Sequence, residues 1–418
     1  MVTEVGAGNL RLVYDKSANE LLMLGPGNEI WAVSLTEARP NKEKRVTSRE
    51  LNLFKGEQVS GMRMAADGNL YVVYNTKPTP DTTQAGVIRG TMTATGKRDW
   101  KLAVRTEPYP ASNTNFDHLY NGLTFSPDGK WMYLNAGSRT DHGEIESTKD
   151  VYPGLREVPL TTKVLRVPAN ADGLVLPNDD AQLRAGGYVF VDGTRNAYDM
   201  AFAPNGDLIA GDNGPDSDYP DEINWLREGR HYGFPWRFGA FDNPQQLPAY
   251  DPATDKRLSQ DFVAVKGKTY VNDPTYPKAP TAFTDPILNR GPAGAWYKAD
   301  DGSNKNAGKE EKPLAGITPH RSPLGLSFAF DPSFPADLRG TNDAPTLLFV
   351  SWGAAGSDIP DKGFDLLMMR MHKTADNYEA RTIQVAKDFK NPIDTVLVKN
   401  KLYVLEFGNG AIWEITFD

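Results

Sequence analysis

One unit recurs along this chain: a turn rich in Asp, Asn and Gly, followed by a short apolar strand. It stands as KSANELLMLGPGNEIWAV (16–33), AADGNLYVVYN (65–75), SPDGKWMYLNAG (126–137), APNGDLIAGDNG (203–214) and VKNKLYVLEFGNGAIWEI (398–415), with a degenerate copy, DAPTLLFVSWG, at 343–353. Ser126-Pro127-Asp128-Gly129 is turn chemistry between two runs of bulky apolar residues, so each copy reads as a hairpin corner. Long amphipathic helix patterns are scarce, and 38 Gly and 31 Pro cut the chain into short pieces. Repeats of about 40–50 residues with four strands each mark a β-propeller. Six copies predict an all-β fold, a six-bladed propeller spanning 1–418 as one domain. The spacing breaks before the degenerate copy, where 235–320 is rich in Pro, Asp, Lys and Asn, as in KADDGSNKNAGKEEKP (298–313). This segment, with a shorter one at 140–160, is expected to be a long loop insertion on one face: a lid or wall, or a solvated decoration.

Composition narrows the chemistry. The absence of cysteine removes disulfides, thiol catalysis, zinc–thiolate sites and covalent c-type haem. A net charge of −8 argues against nucleic acid or an anionic membrane as partner. No apolar run approaches the ~20 residues that span a bilayer, so no membrane insertion is expected. The opening Met1-Val2-Thr3-Glu4 does not read as a signal peptide, which suits either a cytosolic protein or a mature form with an added methionine.

Two clusters carry chemistry. In FDHLYNGLTFSPDGKWMYLNAG (116–137), Asp117-His118 puts an acid and an imidazole before a strand, where an innermost blade strand meets the channel. A neutral imidazole there accepts a proton near pH 7, and Asp117 either orients it or caps a turn. The second cluster is GTRNAYDMAFAPNGDLIAGDNGPDSDYPDEINWLREGRHYGFPWRFG (193–239). Arg195-Asn196 pairs a planar cation with an amide, suited to a carboxylate or a quinone oxygen. Gly214-Pro215 opens a turn dense in carboxylates and carbonyls, the hard oxygen donors that calcium takes. A buried arginine tying blades together and a solvated acidic loop are the plainer alternatives.

These motifs, with KVLRVPANADG (163–173), resemble the soluble glucose/sorbosone dehydrogenase family: six-bladed propellers that use pyrroloquinoline quinone (PQQ) and calcium. The resemblance implies His118 as the base taking the proton of a sugar's anomeric hydroxyl and Asp117 as its helper. It implies Arg195 and Asn196 at the quinone oxygens, Arg195 also stabilising charge as the quinone is reduced. The carbonyls of Gly214 and Pro215 would bind calcium, and Asp221, Glu222 and Tyr232 match a second calcium site of part of the family. It further implies a small-molecule sugar substrate, an external electron acceptor, and a periplasmic or secreted location, with the cytoplasm left open.

The late blades depart from the pattern. Relatives place a lysine and one or two arginines there for the cofactor carboxylates; in DFKNPIDTVLVKN (388–400), Lys390 is the nearby cation, with Asn391 and Ile393 where arginines are expected. Trp352 stands about where a lysine is expected, Lys362 is placed to reach in from its loop, and Gln58 takes the place of a family glutamine. HRSPLGLSF (320–328) is closer to the sorbosone branch, and His320, with Trp352, is assigned to the substrate pocket. Charge-assisted hydrogen bonds are worth ~1.5–3 kcal/mol each, so losing two weakens cofactor binding by ~2–4 decades. A non-catalytic, cofactor-poor binding propeller and a calcium-dependent lactonase-type hydrolase therefore remain open beside the dehydrogenase reading.

Overall fold

A computed structural model describes residues 1–36, 41–51, 58–280, 282–310, 312–353 and 356–418. Each copy of the repeat becomes the corner between the first and second strands of one blade. The innermost strands are Arg11–Asp15, Gln58–Met64, Tyr120–Phe125, Ala197–Phe202, Pro323–Phe328 and Pro392–Val398. Each packs on the next around the ring, and Pro392–Val398 on Arg11–Asp15 closes it, which makes a six-bladed β-propeller.

Within a blade the strands run antiparallel from the axis outward. Blade 1, for example, orders Arg11–Asp15, Glu20–Gly25, Glu29–Ser34 and Lys42–Val46. Middle strands are covered on both faces by neighbouring blades. Their sequences are therefore continuous apolar runs, not alternating ones; Leu347, Leu348, Phe349 and Val350 are all fully buried. The outer strand Lys42–Val46 instead exposes a row of charged side chains, which protects its free edge from pairing.

Blade 6 borrows a strand from the other end of the chain. Thr3 and Glu4 pair with Ile412 and Ala411, so the last sheet is completed by the first residues. Across the axis, Arg11 donates to the carbonyls of Ser60 (3.1 Å) and Tyr198 (3.0 Å), and Arg63 donates to that of Met200 (3.1 Å). These two arginines tie blades 1 and 2 to blade 4 across the channel.

The segment 235–320 is not all loop. Leu288–Pro292 lies parallel on Tyr378–Ala386 and so extends the blade 5 sheet, with Leu314–Ala315 at its edge. The rest, with short helices Pro244–Gln246 and Val263–Lys266, packs against the 140–160 segment. Arg156 bonds Asp273 at 2.5 Å, and Asn243 donates to the carbonyl of His142 at 2.8 Å.

Candidate active site

The topology puts the predicted residues at one end of the ring. Gln58, His118, Arg195, His320 and Lys390 open or precede innermost strands, while Gly214 and Trp352 follow second strands, which run the opposite way and finish at the same end.

His118 sits in the turn before Tyr120–Phe125, its N–H bonded to the carbonyl of Ser138 at 2.9 Å. Gly137 is required beside it: a Cβ there would lie 2.5 Å from His118 Cβ and 2.7 Å from the Leu119 carbonyl. The imidazole Nδ1 is 3.1 Å from Ser138 Oγ, and that hydroxyl donates its proton to the carbonyl of Thr140 at 2.8 Å. Ser138 can then only accept from Nδ1–H, which leaves the lone pair on Nε2. Facing it, at 3.3 Å, is Nη1 of Arg195. Burial, then this guanidinium, pushes the imidazole down to about 3, so it is neutral at ordinary pH with Nε2 as its accepting nitrogen.

Arg195 is almost fully buried and held at three points. Nε donates to the carbonyl of Asp141 and Nη2 to its Oδ1, both at 2.7 Å, while Nη1 reaches the Asn213 carbonyl at 3.2 Å. The backbone N–H groups of Arg195 and Asn196 end on the Asp212 carboxylate at 3.1 and 2.5 Å, pinning the start of the blade 4 inner strand. Asn196 Oδ1 accepts from Asn121 (2.9 Å) and Asn135 (3.0 Å), so its amide NH2 is the end left for another partner.

The Gly214–Pro215 turn gathers oxygen donors of the kind a hard cation takes. Asn213 Oδ1, beside it, is buried without a hydrogen-bond donor, an arrangement that a hard cation relieves. Among the described residues no group of three or more His, Asp or Glu side chains forms a ligand set, so such a cation relies on carbonyl and amide oxygens. The Pro215 carbonyl already accepts from Ser217 N–H at 2.8 Å and retains its second lone pair. At the quinone end, Arg195 Nη1 and the Asn196 NH2 fit carbonyl oxygens.

The three proposed second-site ligands diverge. Asp221 caps the N–H groups of Gly214 and Ser322, both at 2.6 Å. Glu222 pairs across the strands with Asp212; burial raises both carboxyls, with Asp212 adding to the rise at Glu222 and Asp221 to that at Asp212. Tyr232 donates to the Trp225 carbonyl and accepts from Arg227 N–H.

Asp117 turns away from the His118 ring: its Oδ2 accepts Ser112 N–H at 3.2 Å, and burial pushes it up to about 6. The contact that orients His118 is that of Ser138. Gln58, with Lys77 and Leu119, lines a cavity of about 240 Å³. His320 lies 3.0 Å from Asp218 and packs on Phe262, and Lys298 lies 3.1 Å from the other oxygen of Asp218. In the late blades Ile393 is in the core, Lys362 bonds the Ser357 carbonyl, and Lys390 is exposed. Asn391 donates to the carbonyl of Trp352, whose ring packs on Phe407. Among the described residues no hydrogen bond or ion pair ties these late-blade groups to the His118–Arg195 cluster. Sequence reasoning passes over Ser138, Asp141 and Asp212; the one available signal was the second Asp-His dipeptide, Asp141-His142, inside the 140–160 segment.

A six-bladed propeller with an imidazole facing an arginine at one end of the ring is what fold and site define. Residues 59–253 match the family model described as Glucose / Sorbosone dehydrogenase, so the resemblance read from the motifs holds. Quinoprotein glucose dehydrogenase B of Acinetobacter calcoaceticus is 27% identical over 267 residues, 57% of this chain and 54% of that protein. The chain thus matches about half the length of that curated relative. The soluble aldose sugar dehydrogenase of Escherichia coli, in its apo-form, superposes with a TM-score of 0.57 at 14% identity, over 98% of this chain and 95% of that one. The PQQ-bound aldose sugar dehydrogenase of Streptomyces coelicolor gives 0.55 at 15% identity, over 99% and 96%. These structures share the fold.

Proposed function

We propose that this chain is a PQQ- and calcium-dependent dehydrogenase that oxidises an aldose or related sugar at the anomeric hydroxyl and passes electrons to an external acceptor. The observation that carries the reading is the His118 imidazole, its tautomer set by Ser138 and its Nε2 lone pair facing Arg195 Nη1 at 3.3 Å. The name of the family whose model the chain matches, and a PQQ-bound neighbour of the same fold, support the cofactor. Arg195 and Asn196 would hold the quinone oxygens, and Gly214, Pro215 and Asn213 the calcium. When bound, the quinone supplies a two-electron acceptor for the hydride of the sugar carbon, and calcium polarises it.

The protein's own part is proton removal and orientation. His118 Nε2 takes the hydroxyl proton, and Nδ1–H, bonded to Ser138, keeps the ring in place as it becomes positive. Arg195 lowers the proton affinity of His118, so an anion brought to Arg195 offsets that charge and makes His118 a stronger base. Arg195 also places a fixed positive charge where negative charge develops, in a site that needs no reorganisation.

Purified apoprotein with added PQQ and calcium should reduce a dye in the presence of aldoses. His118→Ala should leave PQQ binding, followed by calorimetry, nearly intact and lower turnover by at least ~10². Absence of both binding and dye reduction would sink the proposal. The late-blade geometry favours a second reading, a propeller with weak cofactor affinity: Ile393 is in the core and Lys362 is bonded within its own loop. Under that reading calorimetry detects no PQQ binding, while the fold stays intact.

A further inference from the structure

Asp141 and His142 are both fully buried, in a segment that sequence alone reads as loop decoration. Asp141 Oδ1 takes Arg195 Nη2 (2.7 Å) and the N–H of Asp216 (2.9 Å), and Oδ2 meets His142 Nδ1 at 2.8 Å. The other imidazole nitrogen, Nε2, lies 3.3 Å from the Thr269 carbonyl, which can only accept. Both ring nitrogens face acceptors, the arrangement of an imidazolium. The ring is stacked on Tyr270 with centroids 3.7 Å apart at 12°, and Tyr270 in turn bonds Ser217 Oγ at 2.9 Å. Glu144, 3.6 Å from His142 Nδ1, accepts the N–H groups of Asp141 and His142, both at 2.8 Å. Two cations, Arg195 and His142, thus alternate with two carboxylates, Asp141 and Glu144. That balance is what lets four charges stay buried.

We propose that Asp141 and His142 are the positioning pair of this site, gripping Arg195 at Nε and Nη2 so that Nη1 is left aimed at His118. An arginine side chain is rich in rotamers, and two bonds to one residue fix both the position and the plane of the guanidinium. The two insertions build the grip together: 140–160 supplies Asp141, His142 and Glu144, and 235–320 supplies Thr269 and Tyr270. Gly143 lets them meet, with φ +86 and a hypothetical Cβ only 2.5 Å from Pro235 Cβ and from the Tyr276 hydroxyl. The insertions act as a brace for Arg195.

The idea rests on the dehydrogenase reading for its kinetic consequence, but not for its structural one. The first readout is the ring ¹⁵N titration of His118 by NMR in the full-length apoprotein, for wild type, Asp141→Asn and His142→Gln. The charged groups around His118 are Arg195, Asp141 and Asp117. If Asp141 only contributes charge, removing it lowers the proton affinity of His118. If it holds Arg195 in place, release of the guanidinium raises that affinity by ~1 pH unit. A rise is expected in Asp141→Asn, with a smaller one in His142→Gln, which keeps one donor for Asp141. The second readout is dye reduction by the loaded protein, where kcat should fall ~10–10² with little change in KM. Unchanged or lowered proton affinity of His118 in both folded variants overturns the proposal. A wild type without activity refutes the dehydrogenase reading and leaves the titration to decide the grip; if Asp141→Asn does not fold, His142→Gln decides it.

Discussion

His118 is a half-buried imidazole with a guanidinium at its Nε2, and that setting has a thermodynamic consequence. Its proton affinity in the folded protein is depressed to about 3, first by burial and then by Arg195, while an unfolded imidazole titrates at its ordinary 6.5. The unfolded chain therefore takes up this proton first as pH falls. The contribution of neutral His118 to stability is complete above about 6.5 and is lost progressively down to about 3. His118→Gln should accordingly flatten the acid limb: its unfolding midpoint, compared with wild type at pH 7 and pH 4, should gain on wild type at the lower pH. A wild-type advantage that grows toward pH 4 would mean that the imidazole becomes charged within the fold. The imidazole's place at the start of a blade was legible in the sequence because the acid–imidazole pair precedes a repeat strand. What orients it was not: neighbours in an extended chain point apart, so Asp117 faces Ser112, and Ser138, brought back by the hairpin, does the orienting.

At the scale of elements, the repeat was readable because stacked blades demand it. A middle strand covered on both faces must be apolar throughout, and the corner before it must be a tight turn. All six copies fall between first and second strands, the degenerate DAPTLLFVSWG included. One residue of the third copy has a second duty. Gly137 ends the hairpin strand Trp131–Ala136 and leaves the space that His118 fills. Gly137→Ala should displace the His118 turn, costing ~1–3 kcal/mol as overpacking against backbone. A lower unfolding midpoint, together with loss of turnover comparable to that of His118→Ala, is expected; full activity would show that the turn can yield. The strand Leu288–Pro292, by contrast, could not be read from its own sequence. Its partner is Tyr378–Ala386, far along the chain, and only the completed sheet selects it.

The whole molecule is a ring, and a ring needs a closure. Here it is the two-residue strand Thr3–Glu4 on Ala411–Thr416, followed by Val5, which is buried in the blade 6 core and whose carbonyl takes Lys42 Nζ at 2.7 Å. Burial of a valine is worth ~1.5–3 kcal/mol, to which the paired backbone adds. Deleting residues 1–5 should lower the unfolding midpoint by several degrees and expose an edge strand prone to pairing between molecules. An unchanged midpoint, followed by calorimetry, would place the closure elsewhere, in the contact of the blade 6 and blade 1 inner strands. The cross-channel arginines Arg11 and Arg63 belong to this scale too: each bonds a blade 4 carbonyl that no local pattern connects to it.

The sequence by itself determined the architecture and half of the site. Recurring turns and apolar strands are local signals, and a propeller is local units repeated, so six blades follow from six copies. For the same reason His118, Arg195, Asn196 and Gly214 could be placed at one end: each stands at a known position relative to a repeat strand. Only the tertiary structure decided how those residues are held. Asp141 and His142 lie in a segment without periodicity, and their partners Arg195, Thr269 and Tyr270 come from elsewhere in the chain. It likewise put Ile393 in the core and turned Lys362 onto its own loop. Side-chain direction and burial depend on which insertion meets which blade, and buried charges are tolerated only where each meets its counter-charge.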